Sequence, residues 1–113
     1  GNPFTTVMVA EFDRRRRLMV ERLNKMPGMT CRMPTGAFYA FPNVSGLLTK
    51  RWNNQPIGSA ANLATFLLNE AQVALVPGEP FGSDVHIRLS YATSMEAIER
   101  GLTRIEAAIR RLS

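Results

Sequence analysis

The stretch Val85–Tyr91, read as VHIRLSY, limits the fold more than any other part of the chain. Strand side chains alternate, so Ile87, Leu89 and Tyr91 share one face while His86, Arg88 and Ser90 share the other. A guanidinium beside that apolar run is costly to bury unless something anionic meets it. The stretch therefore predicts a sheet with one face covered by apolar packing and an opposite face that carries polar chemistry.

The covering layer is written in helical periodicity. Ile98, Leu102, Ile105, Ile109 and Leu112 recur at steps of 4, 3, 4 and 3, the cleanest amphipathic signal in the chain. Thr93 and Glu96 read as the capping box of that helix. A first helix is expected over roughly Phe4–Lys25, with Asn2 capping and Pro3 in its first turn. Its stripe is Met8, Phe12, Met19, Leu23 and Met26, widened by Val7, Leu18 and Val20, and Met26-Pro27-Gly28 ends it. The second helix of the chain follows Ser59 as cap, with Leu63, Ala64, Phe66, Leu67, Leu68 and Ala71 as its apolar face.

Between the helices lie short extended pieces. Met29–Met33 reads as an edge strand and Pro34-Thr35-Gly36 as a turn. Phe38–Phe41 carries aromatics on both faces and reads as a central strand. Val44–Pro56 reads as a polar loop holding Trp52. Val73–Val76 is a third strand, stopped by Pro77-Gly78, and Val85–Tyr91 is a fourth. The order helix, strand, strand, helix, strand, strand, helix predicts an α+β domain over residues 1–113. Its sheet is small and largely antiparallel, of about four short strands, with three helices mainly on one face.

Composition narrows the function classes. The chain has 113 residues, fitting one domain, and 45% of them are hydrophobic against 20% charged, a globular balance. No apolar run approaches a membrane span of about 18 residues, and GNPFTTVMVAEF is not a secretory signal. The single cysteine, Cys31, excludes an internal disulfide framework and fits a reducing, cytoplasmic setting. The net charge of +5 raises the question of nucleic acid. Arg14 to Arg17 are consecutive, however, so a helix spreads them around its circumference, and the other basic residues are scattered, unlike a nucleic-acid stripe. His86 is the only histidine, which excludes a histidine-rich metal cluster and favours a packing role for it. Cys31 reads as a half-buried, inert thiol.

Arg88 is the candidate binding residue. A planar guanidinium matches a carboxylate through two parallel hydrogen bonds, and a strand holds it more rigidly than a loop. By residue type alone, an internal ion pair with Glu79 or Asp84 explains it as well. The surrounding segments add to this. Pro77-Gly78-Glu79-Pro80-Phe81-Gly82 followed by His86 to Ser94 (HIRLSYATS), and Pro34 to Pro42 (PTGAFYAFP), resemble in order and spacing two segments of the class I/II (fold type I) pyridoxal-phosphate-dependent aminotransferases, the aspartate aminotransferase group. Glu11 to Arg17 (EFDRRRR) resembles a third segment more loosely. The likeness runs from about Val7 to Leu112.

That resemblance implies a fold and a division of labour. The chain would be the C-terminal, small domain of such an enzyme. Arg88 would grip the substrate α-carboxylate, and Phe81 matches a position where related enzymes place an aromatic near the substrate. Loop packing explains Phe81 equally well, and Gly78 and Gly82 serve loop geometry, since no phosphate-loop pattern accompanies them. The parent would use pyridoxal 5'-phosphate, move an amino group between an amino acid and a 2-oxo acid, and form a homodimer. The substrates left open are aspartate, aromatic amino acids and prephenate. The only lysines, Lys25 and Lys50, do not lie in the family's Schiff-base context, so no catalytic, cofactor-binding or metal residue is expected in this chain. Those parts would belong to a large domain upstream, and the N-terminal segment that completes the small domain in the family would be missing too. Separated from the large domain, part of the first helix and the Arg88 side of the sheet should be open, favouring self-association. Trp52 would anchor its loop or cover a surface meant for that domain. A rival reading is a stand-alone α+β module that binds a small carboxylate ligand through Arg88, or RNA through sheet aromatics. No RNA-binding signature accompanies Phe38, Tyr39 and Phe41.

Overall fold

The computed structural model describes residues 3–33, 39–72, 76–77, 84–91 and 93–113, with the backbone alone for 3–8 and 76–77. Its elements in chain order are α1 (Pro3–Asn24), β1 (Tyr39–Ala40), α2 (Ser45–Leu48), β2 (Arg51–Trp52), β3 (Gln55–Pro56), α3 (Ala60–Ala71), β4 (Val76–Pro77), β5 (Ile87–Ser90) and α4 (Met95–Ile109). The α+β class and the antiparallel sheet are as expected. β5 is the middle strand of a three-stranded sheet ordered β1-β5-β4, antiparallel throughout.

The alternation of β5 sets the layers. Ile87, Leu89 and Tyr91 are buried, Arg88 and His86 are half-buried, and Ser90 is exposed. The covered face joins one buried cluster with Ile98, Leu102, Ile105 and Ile109 of α4 and with Leu112 just beyond its end, so the predicted stripe is buried at every position. α4 packs against both α1 and α3. α1 contributes Met19, Val20 and Leu23, with Met26 just beyond its end, and α3 contributes Leu63, Ala64, Phe66, Leu67 and Ala71. Leu68 departs from expectation. It is 52% exposed, because the core stripe of α3 turns away from it.

Four local readings are corrected. The last helix is capped by Ser94, whose hydroxyl accepts from the Ala97 amide at 3.1 Å, so Thr93 and Glu96 form no capping box there. Met29–Met33 is not a strand: it makes one bridge, Thr30 with Asn43. The Asn24 side chain supplies the next pairing instead, donating to the Cys31 carbonyl and accepting from its amide, both at 2.8 Å. β1 is a flanking strand rather than the central one, although its register continues to Asn43, which bridges both His86 and Thr30. The supposed loop 44–56 holds α2 and the β2–β3 hairpin. Asn53 and Asn54 take φ of 53° and 66°, the two positive values that a two-residue turn of matching twist requires. Asn2, Pro34 to Phe38, Val73 to Leu75 and Gly78 to Ser83 lie outside the described residues. Ser59 caps α3 as expected, accepting from the Asn62 amide at 3.1 Å.

One close approach joins the end of α1 to α2. Gly28 has φ of 81°, and a Cβ there would lie 2.7 Å from Leu47 Cδ2; a Cβ on Gly46 would lie 2.8 Å from the Gly28 Cα. Gly101, on α4, has open space. Gly28→Ala is expected to cost about 2–4 kcal/mol, from backbone strain plus overpacking. Gly101→Ala should instead stabilise by about 0.5–1 kcal/mol through helix propensity. Urea denaturation of the two variants checks both signs.

Candidate substrate-carboxylate site

Arg88 stands on the face of β5 that turns away from the core. Antiparallel pairing puts Tyr39 opposite Ser90 and Ala40 opposite Leu89, so Tyr39 shares the Arg88 face and Ala40, fully buried, points inward. The same register, carried to the Asn43–His86 bridge, adds Phe41 and Asn43. This face thus carries Tyr39, Phe41, Asn43, His86, Arg88 and Ser90. The Arg88 guanidinium lies over the Tyr39 ring, 4.4 Å from its centroid. A cation over an aromatic face is attracted by the ring quadrupole.

A cavity of about 670 Å³ opens beside this face, lined by Asn24, Thr30, Cys31, Arg32, Met33, Phe41, Asn43 and His86. Phe41 is 41% exposed and Met33 45%. Val9, on α1, is exposed as well. A second cavity of about 510 Å³, between the β2–β3 hairpin and α3, shares no residue with it. Phe81, Gly78, Gly82 and Glu79 lie outside the described residues.

The remaining singled-out residues take structural places. Trp52 anchors its hairpin: it packs on Phe66 with ring centroids 5.3 Å apart, and Arg111 lies over its ring at 5.3 Å. Lys25 pairs with Glu21 at 3.2 Å on the surface of α1. Lys50 follows α2, with its amide bonded to the Leu47 carbonyl. The arginine run on α1 is paired within the helix, four guanidiniums sharing two carboxylates. Arg14 and Arg15 reach Glu11 at 2.9 and 3.8 Å, Arg17 reaches Asp13 at 2.8 Å, and Arg16 also pairs with Asp13. The hydrogen bond from Arg17 holds the Asp13 carboxyl below its ordinary value, so that pairing is present above the carboxylate range and fades as pH falls through the lowered pKa. Among the described residues no three His, Cys, Asp or Glu side chains gather as a metal site, and no helix is long and apolar enough to cross a membrane.

The model of the family "Aminotransferase class I and II" matches residues 1–105. The chain belongs to that family. It is 45% identical over 95 residues to an aspartate aminotransferase of Streptomyces avermitilis, covering 84% of this chain and 23% of that protein. It is 43% identical over 106 residues to a probable aspartate/prephenate aminotransferase of Aquifex aeolicus, covering 94% of this chain and 25% of that one. Among solved structures, the aspartate aminotransferase of Rhizobium meliloti superposes with a TM-score of 0.95 at 40% identity, covering 100% of this chain and 28% of that one. The chain therefore spans about a quarter of the length of these aminotransferases, matching their C-terminal part.

Two features of the site escaped the sequence. The Tyr39–Arg88 stack needs the strand register, which no local pattern supplies. The Asn24 clasp on Cys31 was hinted at only by an amide side chain at a helix end. Cys31 itself is buried, and burial pushes its thiol above its ordinary value, with the Phe41 backbone opposing. Iodoacetamide should therefore label native Cys31 at pH 8 about tenfold or more slower than in urea. Mass spectrometry of timed aliquots checks this; equal rates would mean the thiol is open.

Proposed function

We propose that this chain is the small, C-terminal domain of a pyridoxal-phosphate-dependent aminotransferase, and that Arg88 binds the α-carboxylate of its substrates. The parent moves an amino group between an amino acid, aspartate or a related acid, and a 2-oxo acid. The observation that carries the reading is Arg88 on the face of β5 turned from the core, inside a chain of this family, with its guanidinium over Tyr39. A fork fixed on a strand orients the bound carboxylate, and with it the Cα–H bond to be broken. Closure of the domain over the substrate excludes water from that bond. Phe81, which precedes β5 in the sequence, is proposed to lie near the substrate side chain.

The residues present do not fit the cofactor itself. A lysine for the Schiff base, a partner for the pyridine nitrogen and a phosphate cup are needed. Lys25 is committed to Glu21 at the surface of α1, and Lys50 lies between α2 and β2. Neither is on the strands around Arg88. We assign these roles to a larger domain of the parent, which also forms its homodimer. The exposed Phe41 and Val9 support a face that meets further protein.

Two outcomes are expected. In the full-length protein, Arg88→Leu lowers kcat/KM for aspartate about a hundredfold or more, and Arg88→Lys recovers only part of it, because the charge returns without the fork. Activity untouched by Arg88→Leu would remove the assignment. The 113-residue chain alone, given pyridoxal phosphate, develops no specific visible absorbance band and no transamination. Turnover by the isolated chain would place the whole site within it.

A further inference from the structure

Tyr39 and Arg88 are diagonal neighbours across the β1–β5 pair, since Tyr39 faces Ser90, two residues along the strand from Arg88. The Arg88 guanidinium carbon lies 4.4 Å from the Tyr39 ring centroid. A guanidinium over an aromatic ring can meet it with its flat face, whereas its N–H donors lie in its plane and point from its edge. A carboxylate is gripped at that edge by two parallel hydrogen bonds. Stacking and carboxylate binding therefore use different surfaces of one group. The ring also restricts a long side chain that would otherwise sample many rotamers.

Tyr39 is not placed there by the core. It is half-buried, while the next residue, Ala40, is fully buried on the opposite face and meets the apolar layer. Beyond β1, Phe41 is exposed on the same side as Tyr39. We infer that Tyr39 is a positioning residue: its ring fixes the Arg88 guanidinium in the orientation that receives the substrate carboxylate, and so governs affinity more than the chemical step. The ring face carries this role and the hydroxyl does not. The inference rests on the aminotransferase reading above and deepens it.

The test uses the full-length protein carrying this chain, assayed with aspartate and a 2-oxo acid. Tyr39→Phe should leave KM within about twofold of the parent value, because the ring quadrupole survives. Tyr39→Leu should raise KM for both substrates about fivefold to twentyfold, with kcat changed by less than about threefold. Replacing Tyr39 by phenylalanines with successive ring fluorines keeps the shape while weakening the quadrupole, so KM should climb in step with fluorination. KM that is flat across Tyr, Phe and Leu in an active enzyme overturns the inference and leaves the aminotransferase reading standing. If the leucine variant fails to fold by thermal melting, the fluorinated series decides, and a flat series overturns the inference. A parent protein with no transamination overturns the functional reading, and this inference with it.

Discussion

A fully buried isoleucine and a half-buried arginine sit side by side on β5, and the rest of the domain is arranged around that juxtaposition. The pleat makes it possible, because neighbouring side chains leave the strand in opposite directions. Burying Ile87, Leu89 and Tyr91 stabilises the covered face by about 1.5–3 kcal/mol per large side chain. A slip of one residue would bring those three into solvent and drive Arg88 into the apolar layer, where a charge without a partner is far more costly. The same energetics that build the core therefore also aim Arg88. Its placement is a consequence of packing on the far side of the sheet, and the proposed carboxylate role inherits the rigidity of the core.

Much of this was legible because periodicity is a local signal. The 4-3-4-3 stripe of α4 is buried at every position, and the alternation of β5 is reproduced residue for residue. Where reading failed, the deciding interaction came from a distant or competing group. Leu68 looks like part of the α3 stripe, but the direction from which α4 and the sheet approach leaves it outside. Met29–Met33 looks like a strand, but Asn24, at the end of α1, offers its amide to Cys31 in place of a neighbouring backbone. Thr93 and Ser94 are both competent caps, and only the start of the helix at Met95 selects Ser94. The site was legible to the same depth. Arg88 is found by its residue type and strand, while Tyr39 becomes its partner only once the β1–β5 register is known.

Rigid supports hold the strand framework on both sides. Gly28 and Gly46 let the end of α1 and α2 meet backbone to backbone, which draws the segment from Asn43 to Leu47 tight against the α1 turn. Asn43 is at the start of that segment, accepting from the Ser45 amide through its side chain at 2.9 Å while its backbone bridges Thr30 and His86. The extension of β1 is thus tied to α1, α2 and β5 together. On the other side of the domain, Arg111 contacts Trp52 and pairs with Glu70 at 3.4 Å, linking the chain end to the hairpin and to α3.

Arginines of α1 and of the chain end meet carboxylates. Arg14 to Arg17 have Glu11 and Asp13 within one helical turn, Arg110 has Glu106 at 3.1 Å, and Arg111 has Glu70. Such pairs offset part of the positive charge locally, and the consecutive positions of Arg14 to Arg17 spread the remainder around α1. Tyr39 acts on Arg88 differently. An aromatic ring attracts and orients a cation without adding a negative charge, so the attraction of the guanidinium for an incoming anion is not cancelled by this contact. A carboxylate in the same place would have fixed the side chain as firmly and reduced its pull on a second carboxylate. For a residue whose proposed task is to receive an anion from outside the domain, a neutral π face is a contact that orients without compensating.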